Sequence, residues 1–205
     1  MHIADGVLPT AVAAGSYVLT LAGLGLSLRT VDSRDLPKIA VVTSSFFVAS
    51  LIHVPLGPTS VHLILPGIVG ALLGPASFLS ITVGLFLQSL LFQFGGLTAL
   101  GANALMMGVP ALLCGFLFRR FRGSTKTSNA IVGALVSGGG VLLAALFLAL
   151  LLATGGEAFF GVAKMALLAH VPVMVIEALV GGFVISFLFR VKPELLAPRT
   201  RRKRA

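Results

Sequence analysis

Long apolar runs alternate with short polar breaks along the chain. Because a bilayer core about 30 Å thick needs about 20 residues of α-helix, runs of this length are typical of membrane-spanning helices. The breaks are rich in Gly, Pro, Asp and Ser, which favour turns. The pattern therefore predicts an all-α polytopic membrane helix bundle with about seven transmembrane helices. The predicted segments are 9–29, 38–54, 63–74, 76–94, 101–118, 128–153 and 160–190.

The third of these segments is too short to cross a bilayer alone. It also contains Pro66 and Gly67, two residues that interrupt helices. Irregular backbone is tolerated at membrane depth only where other parts of the protein surround it. We therefore expect this segment to be buried against neighbouring helices.

The composition supports a membrane protein and excludes soluble classes. Hydrophobic residues make up 57% of the 205 residues and charged residues only 10%, with a mean hydropathy of +1.07. So little charge cannot solvate the surface of a soluble enzyme. The net charge of +9 would suit a nucleic-acid binder, but seven of the fifteen Lys and Arg residues lie from Arg190 onward. We expect a multi-pass protein of the cell (inner) membrane, in contact with the lipid bilayer and with no nucleic-acid partner.

The distribution of cations predicts the orientation of the bundle, because cytoplasmic loops carry an excess of Lys and Arg. With the N-terminus outside, fourteen of the fifteen cations fall on the cytoplasmic side and only Lys164 falls outside. The C-terminus is then cytoplasmic. Residues 1–190 are expected to form a single transmembrane domain, followed by a basic cytoplasmic tail at 191–205 that can contact anionic lipid.

All four histidines, His2, His53, His62 and His170, then belong to the outer half of the molecule. The N-terminus lacks the basic region of a signal peptide, so we expect Met1 to remain the first residue. A chain that begins X-His offers its terminal amine, the amide nitrogen of residue 2 and an imidazole in one plane, which suits Cu(II) and Ni(II). The fourth ligand must come from elsewhere. The alternative is that His2 is one polar residue in a frayed terminus.

Two segments bear on whether such a site can form. Ala4-Asp5-Gly6 is a turn signal that would fold the terminus back over the protein, with Asp5 acting either as an acceptor for an imidazole or as a turn or cap residue. Pro58-Thr59-Ser60 constrains the chain just before His62, which makes His62 the better candidate for the fourth ligand. His53 is expected to cap a helix end or to support a ligand.

His170 and Glu177 lie seven residues apart in the last segment, and therefore on one helical face. A carboxylate within the membrane is costly enough to need a partner. A buried structural pair or network is expected for these two side chains, and a direct part in transport is the alternative.

Several motifs are spread over residues 1–180: MHIADGVLP at 1–9, GPTSVHL at 57–63, QSLLF at 88–92, GGLTALGAN at 95–103, and HVP at 170–172 with Ile176-Glu177. Together they resemble the CbiM/NikM family, the substrate-capture (S) components of cobalt and nickel energy-coupling-factor (ECF) transporters, which are ABC transporters. One departure is Ala178, where the family pattern has glycine.

The resemblance implies that the N-terminal segment binds a metal ion through four nitrogens in a roughly square-planar arrangement. The ligands are the Met1 amine, the His2 amide nitrogen, the His2 imidazole and His62. The candidates for supporting or structural roles are Asp5, His53, Ser60, Asn103, His170 and Glu177. No intrinsic cofactor is implied, since Ni(II) or Co(II) is the transported ligand, and the shared ligands do not separate nickel from cobalt.

The resemblance also implies that the chain captures the metal but supplies no energy. The sequence has no G-x-x-x-x-G-K-[ST] loop for ATP. The expected partners are therefore separate ATPase subunits, an ECF scaffold transmembrane subunit and a possible small auxiliary membrane subunit. The alternatives are a membrane-embedded metalloenzyme, against which the lack of an H-E-x-x-H motif argues, and a structural membrane subunit that binds no metal.

Overall fold

The computed structural model describes residues 1–51, 53–56 and 59–196. Within these ranges the chain forms seven α-helices and one two-stranded antiparallel hairpin, with short 3-10 turns between some of them. The elements are α1 (Thr10–Leu28), α2 (Leu36–Leu51), β1 (His53–Leu56), β2 (Thr59–His62), α3 (Pro66–Leu73), α4 (Ser77–Phe92), α5 (Leu100–Phe121), α6 (Lys126–Ala153) and α7 (Phe160–Val191).

Five runs in the described part of the chain are long and apolar enough to cross a membrane. They are Thr10–Leu28, Pro66–Phe92, Leu100–Phe121, Lys126–Ala153 and Glu157–Val191. The second run joins α3 and α4 through a 3-10 turn, whereas α2, with 16 residues, is shorter than these runs. The helical membrane bundle is thus confirmed. The count of seven crossings and the sides on which the two termini lie stay predictions.

The short helix α3 is buried against its neighbours, as its sequence predicts. Pro66 occupies its first turn, where the missing amide donor costs nothing. A Cβ at Gly67 would overlap Ser137 of α6, and a Cβ at Gly70 would overlap the carbonyl oxygen of Ala111 of α5. The two glycines therefore bring α3 closer to α5 and α6 than any other residue type allows.

The hairpin is the departure from an all-α bundle. β1 begins at His53, inside the segment 38–54 that the apolar pattern assigns to a helix, and pairs with β2 so that His53 lies opposite His62. Pro55 cannot donate a helical hydrogen bond, and the β-branched Val54 favours a strand. An apolar run alone does not distinguish a helix end from a short strand.

The central helix α5 connects two chemically different ends of the bundle. It contacts α1, α3, α4 and α6, and its 22 residues span about 33 Å. It begins beside the N-terminal segment and ends in a basic turn, where Arg122 donates to the carbonyl oxygen of Leu196. Lys38 Nζ donates to the carbonyl oxygen of Leu195 over 2.8 Å at the same end. Most of the predicted basic tail, residues 197–205, lies outside the described residues.

Candidate metal centre

The first three residues are part of the protein interior. Met1 and Ile3 are fully buried, and His2 is 5% exposed. The main chain of Ile3 exchanges two hydrogen bonds with Asn103 of α5: its N–H donates to Oδ1 over 2.8 Å, and its carbonyl accepts from Nδ2 over 3.1 Å. Ile3 also forms a β-bridge with Thr59. The N-terminus is therefore not frayed. Asn103 anchors it to α5.

Asp5 fixes the next turn of the terminus against the start of α5. Its Oδ1 accepts hydrogen bonds from the N–H and Oγ1 of Thr98, at 2.8 and 2.6 Å, and from the N–H of Ala99 at 3.2 Å. Gly96 has a φ of +76°, and a Cβ there would overlap the Asp5 carboxylate. Of the two roles open to Asp5 from the sequence, the structure shows the turn and cap role.

The folded terminus brings His2 against His62. Nδ1 of His2 lies 3.1 Å from Nε2 of His62, and the ring centroids are 4.6 Å apart. Both side chains are buried. The other ring nitrogens have separate partners: His2 Nε2 lies 2.8 Å from Oε1 of Gln88, and His62 Nδ1 lies 2.7 Å from the carbonyl oxygen of Leu63.

These partners assign the tautomers of both rings. Ser50 Oγ donates to the carbonyl oxygens of Phe46 and Phe47 and accepts from Nε2 of Gln88, so Oε1 of Gln88 is the atom that faces His2. An oxygen at that position accepts, so His2 carries its proton on Nε2. The carbonyl of Leu63 likewise places the His62 proton on Nδ1.

The consequence is that two bare lone pairs face each other across 3.1 Å. With neutral rings in these tautomers, neither nitrogen can donate to the other. A cation between them resolves the conflict, because two imidazole nitrogens bound at about 2.0–2.1 Å and at right angles lie about 2.9 Å apart. The observed separation is close to that value.

Burial keeps both rings neutral and therefore able to bind a cation. It lowers the pKa of His2 to about 4, against a smaller raising contribution from the Gln88 hydrogen bond. Burial also lowers the pKa of His62 to about 4. At pH 7 protons thus compete with a metal for neither imidazole.

Two further predicted residues flank the pair. Ser60 Oγ lies 3.4 Å from Nδ1 of His2, a long contact. His53 caps the end of α2, since its Nδ1 lies 3.1 Å from the carbonyl oxygen of Leu51, and its ring meets Phe94 edge-on with centroids 4.1 Å apart. Gln88 is not among the residues that the sequence predicted for the site. A signal was present, because an amide side chain in the apolar run of α4 indicates a buried hydrogen bond.

The expected pair of His170 and Glu177 does not form between these two described residues. His170 Nδ1 lies 2.6 Å from the carbonyl oxygen of Ala166. Glu177 Oε1 accepts from the N–H groups of Ile64 and Leu65, the second over 3.0 Å. Residues seven apart lie on one face but two turns, about 10.5 Å, apart along the axis. Each side chain is instead bonded to main-chain groups.

Among the described residues, no three His, Cys, Asp or Glu side chains come together as a metal-binding group. A centre built on His2 and His62 therefore needs further ligands that are not such side chains. The buried main chain of Met1 and His2 is the nearest source of nitrogen along the chain.

Known proteins resemble this chain over nearly its full length. Residues 2–195 match the profile of CbiM, described as the cobalt uptake substrate-specific transmembrane region. A putative metal transport protein of Haemophilus influenzae is 37% identical over 201 residues, covering 96% of this chain and 97% of that protein. The putative cobalt transport protein CbiM 1 of Methanocorpusculum labreanum is 32% identical, covering 96% and 92%.

Two other similarities extend this picture. The fused nickel transport protein NikMN of Rhodobacter capsulatus is 32% identical and is matched over 97% of this chain and 65% of its own length. The crystal structure of a transition metal transporter superposes with a TM-score of 0.74 at 27% identity, covering 93% of each chain.

A helical membrane bundle with these relatives is a transport component and not an enzyme, so the metalloenzyme alternative is wrong. The chain belongs to the CbiM family of cobalt uptake substrate-specific transmembrane regions. The resemblance carried by its sequence motifs is thereby confirmed.

Proposed function

We propose that this protein is the substrate-capture component of an ECF-type ABC transporter that imports Ni(II) or Co(II). The metal is bound by the Met1 amine, the His2 amide nitrogen, His2 Nδ1 and His62 Nε2. The observation that carries the proposal is the 3.1 Å approach of the last two nitrogens, on rings whose protons are assigned to the other nitrogen by Gln88 and Leu63. Such an arrangement is unfavourable in the absence of a cation and favourable in its presence.

The choice of nitrogen on His2 supports chelation by the terminus. An amide nitrogen and Nδ1 of the same histidine close a six-membered ring with a metal, whereas Nε2 points away from its own main chain. Gln88 occupies Nε2, which leaves the nitrogen that the chelate requires. His62 has no such constraint and offers Nε2 while Leu63 holds Nδ1.

The donor set matches the proposed cargo. Imidazole and amine nitrogens favour nickel, cobalt and copper over magnesium and calcium, which prefer oxygen ligands. Loss of the His2 amide proton supplies one negative charge, and the other ligands are neutral. Relatives named for nickel and for cobalt are both similar to this chain, so the proposal includes both ions.

The proposal extends to orientation and partners. The histidine pair and the basic end of α5 lie at opposite ends of the bundle, and the positive-inside rule puts the basic end in the cytoplasm. The metal is then captured outside. ATP hydrolysis belongs to separate ATPase subunits, coupled through a scaffold membrane subunit, with a small auxiliary membrane subunit as a further partner.

Blocking the Met1 amine tests this proposal without changing a side chain. Protein with a free terminus is compared with protein whose amine is acetylated, in equilibrium dialysis against NiCl2 at pH 7.5. We expect one nickel per chain for the free terminus, as a diamagnetic planar complex, and a loss of at least 100-fold in affinity after acetylation. A structural subunit without metal binding predicts no binding in either sample. Equal binding by both samples refutes the terminal chelate.

A further inference from the structure

Five side-chain atoms among the described residues are buried without a hydrogen-bond partner. They are Thr59 Oγ1, Ser77 Oγ, Ser137 Oγ, His170 Nε2 and Glu177 Oε2. Only the two on α7, His170 Nε2 and Glu177 Oε2, belong to residue types that commonly bind transition metals. An unsatisfied polar atom is costly inside a membrane, and two of them on one helical face call for an explanation in terms of function.

The free atom of His170 carries a lone pair. Because Nδ1 donates to the carbonyl of Ala166, the proton is on Nδ1 and Nε2 is bare. The residue is 1% exposed. α7, the helix that carries His170, contacts β2, the strand that carries His62. His170 is thus a buried nitrogen donor on a helix that contacts the strand of the proposed capture site.

Glu177 lies two turns further along α7 and offers a free carboxylate oxygen. Its Oε1 is held by the N–H groups of Ile64 and Leu65, which follow His62 directly in the chain. Its Oε2 is buried without a partner. When ionised, this carboxylate offsets part of the cost of moving a divalent cation through the membrane interior.

One turn beyond Glu177, helices α3, α6 and α7 pack tightly against each other. Ser137 of α6 lies between Gly67 of α3 and Gly181 of α7, and a Cβ on either glycine would overlap its hydroxyl. The closure lies one turn past Glu177 on the same face of α7. Glu177 therefore lies between the segment that follows His62 and a closed contact of three helices, with His170 two turns before it on α7.

We propose that His170 Nε2 and Glu177 Oε2 are an inner relay for the transported cation, which binds His170 and then Glu177 after it leaves His2 and His62. The relay rests on the proposed function, since it needs a metal captured at the terminus. The two atoms are two helical turns apart and bind the ion in succession rather than together. Separation of α3 from α6 and α7 at Ser137 then opens the way inward.

Isosteric substitutions separate the relay from a structural role. Glu177→Gln keeps an oxygen that can accept from Ile64 and Leu65 but removes the charge and the second carboxylate oxygen. His170→Asn keeps a nitrogen that can donate to Ala166 and removes Nε2, whereas His170→Gln places an amide group at the level of Nε2. Thr82→Val, which removes a buried hydroxyl bonded only within α4, is the matched control.

Each variant is measured by dialysis of purified protein against radioactive Ni(II), and by uptake of the same ion into a deletion strain of the native host that expresses the variant. We expect nickel affinity within about twofold of wild type for all four. Uptake should fall at least tenfold in Glu177→Gln and His170→Asn, recover in part in His170→Gln, and stay unchanged in Thr82→Val.

Two results would overturn the relay: uptake at the wild-type rate in Glu177→Gln and His170→Asn, or a loss of nickel affinity that accounts for the loss of uptake. The second result would make both residues supports for the capture site. If Glu177→Gln does not fold, the His170→Asn and His170→Gln pair decides the question alone. Failure of the proposed function itself gives a different result, because wild-type protein then binds no nickel.

Discussion

Gln88 Oε1 accepts a hydrogen bond from Nε2 of His2 over 2.8 Å, although 86 residues separate the two in the chain. This bond decides which nitrogen of His2 is free. Ser50 in turn fixes the amide of Gln88, so the terminus, α4 and α2 are linked in one polar network inside an apolar bundle. In the proposed centre this network orients the imidazole of His2, which is a metal ligand.

Replacement of Gln88 by Leu should therefore weaken nickel binding without removing a ligand. The ring of His2 would lose its fixed tautomer and orientation, and loss of such a supporting bond typically costs 10–100-fold in metal affinity. Ser89→Ala is the control, because Ser89 is the next residue and bonds only to the carbonyl of Phe86 in its own helix. Equal affinities in isothermal titration of the two variants would argue against the orienting role.

Substitution of the two hairpin histidines should have unequal effects. His62→Ala removes the proposed fourth nitrogen, whereas His53→Ala removes only the cap on Leu51 and the contact with Phe94. We expect at least a 100-fold loss of nickel affinity in the first variant and less than a tenfold loss in the second. A larger loss for His53→Ala in the same dialysis assay would mean that the loop ligand is wrongly assigned.

The metal-free protein should become less stable as the pH falls from about 6.5 to 4. The folded-state pKa of His2 and of His62 is about 4, below the value of 6.5 expected in the unfolded chain. In this window the unfolded chain binds more protons, so each histidine lowers the free energy of unfolding by up to about 1.4 kcal/mol per pH unit. Above pH 6.5 neither contributes a slope.

Thermal unfolding in detergent across this pH range measures the effect. The double variant His2→Ala/His62→Ala provides the reference, because it lacks both titrating groups and should show a flatter profile. A profile equally steep in this variant would assign the acid sensitivity to other residues.

Gly96→Ala should weaken the packing of the N-terminal segment against the start of α5, although Gly96 is not a proposed metal ligand. A Cβ at this position would overlap the Asp5 carboxylate, and the φ of +76° disfavours a side chain. We expect destabilisation of about 1–3 kcal/mol together with weaker nickel binding. Gly25→Ala on α1 is the matched control, since its added Cβ meets no atom within 4 Å. A wild-type unfolding midpoint and affinity in Gly96→Ala would show that the Asp5 turn does not support the site.

The sequence predicted what depends on local pattern. The apolar runs locate the seven helices of the described residues to within a few residues. The X-His terminus and the loop histidine identify the pair that the fold brings into contact. The hairpin was not predicted, because the start of β1 at His53 continues the apolar run of α2.

Other features depend on contacts between residues far apart in the chain. The hydrogen bond from Gln88 to Ser50 spans 38 residues, and no local spacing indicates it. Glu177 was expected to form a buried structural pair or network with His170, but it accepts a hydrogen bond from the main chain of Ile64, 113 residues away. Helical periodicity places a side chain on a face and leaves its partner on the opposing element undetermined.

The burial of the first three residues also means that the N-terminal segment can reach its final position only after α5 has been synthesised. Ile3 is buried and held by Asn103, which is synthesised 100 residues later in the chain. A nascent chain that stops before α5 contains His2 and His62 but cannot assemble their surroundings. For the proposed centre, competence to capture metal therefore requires that the chain has been inserted at least as far as the start of α5.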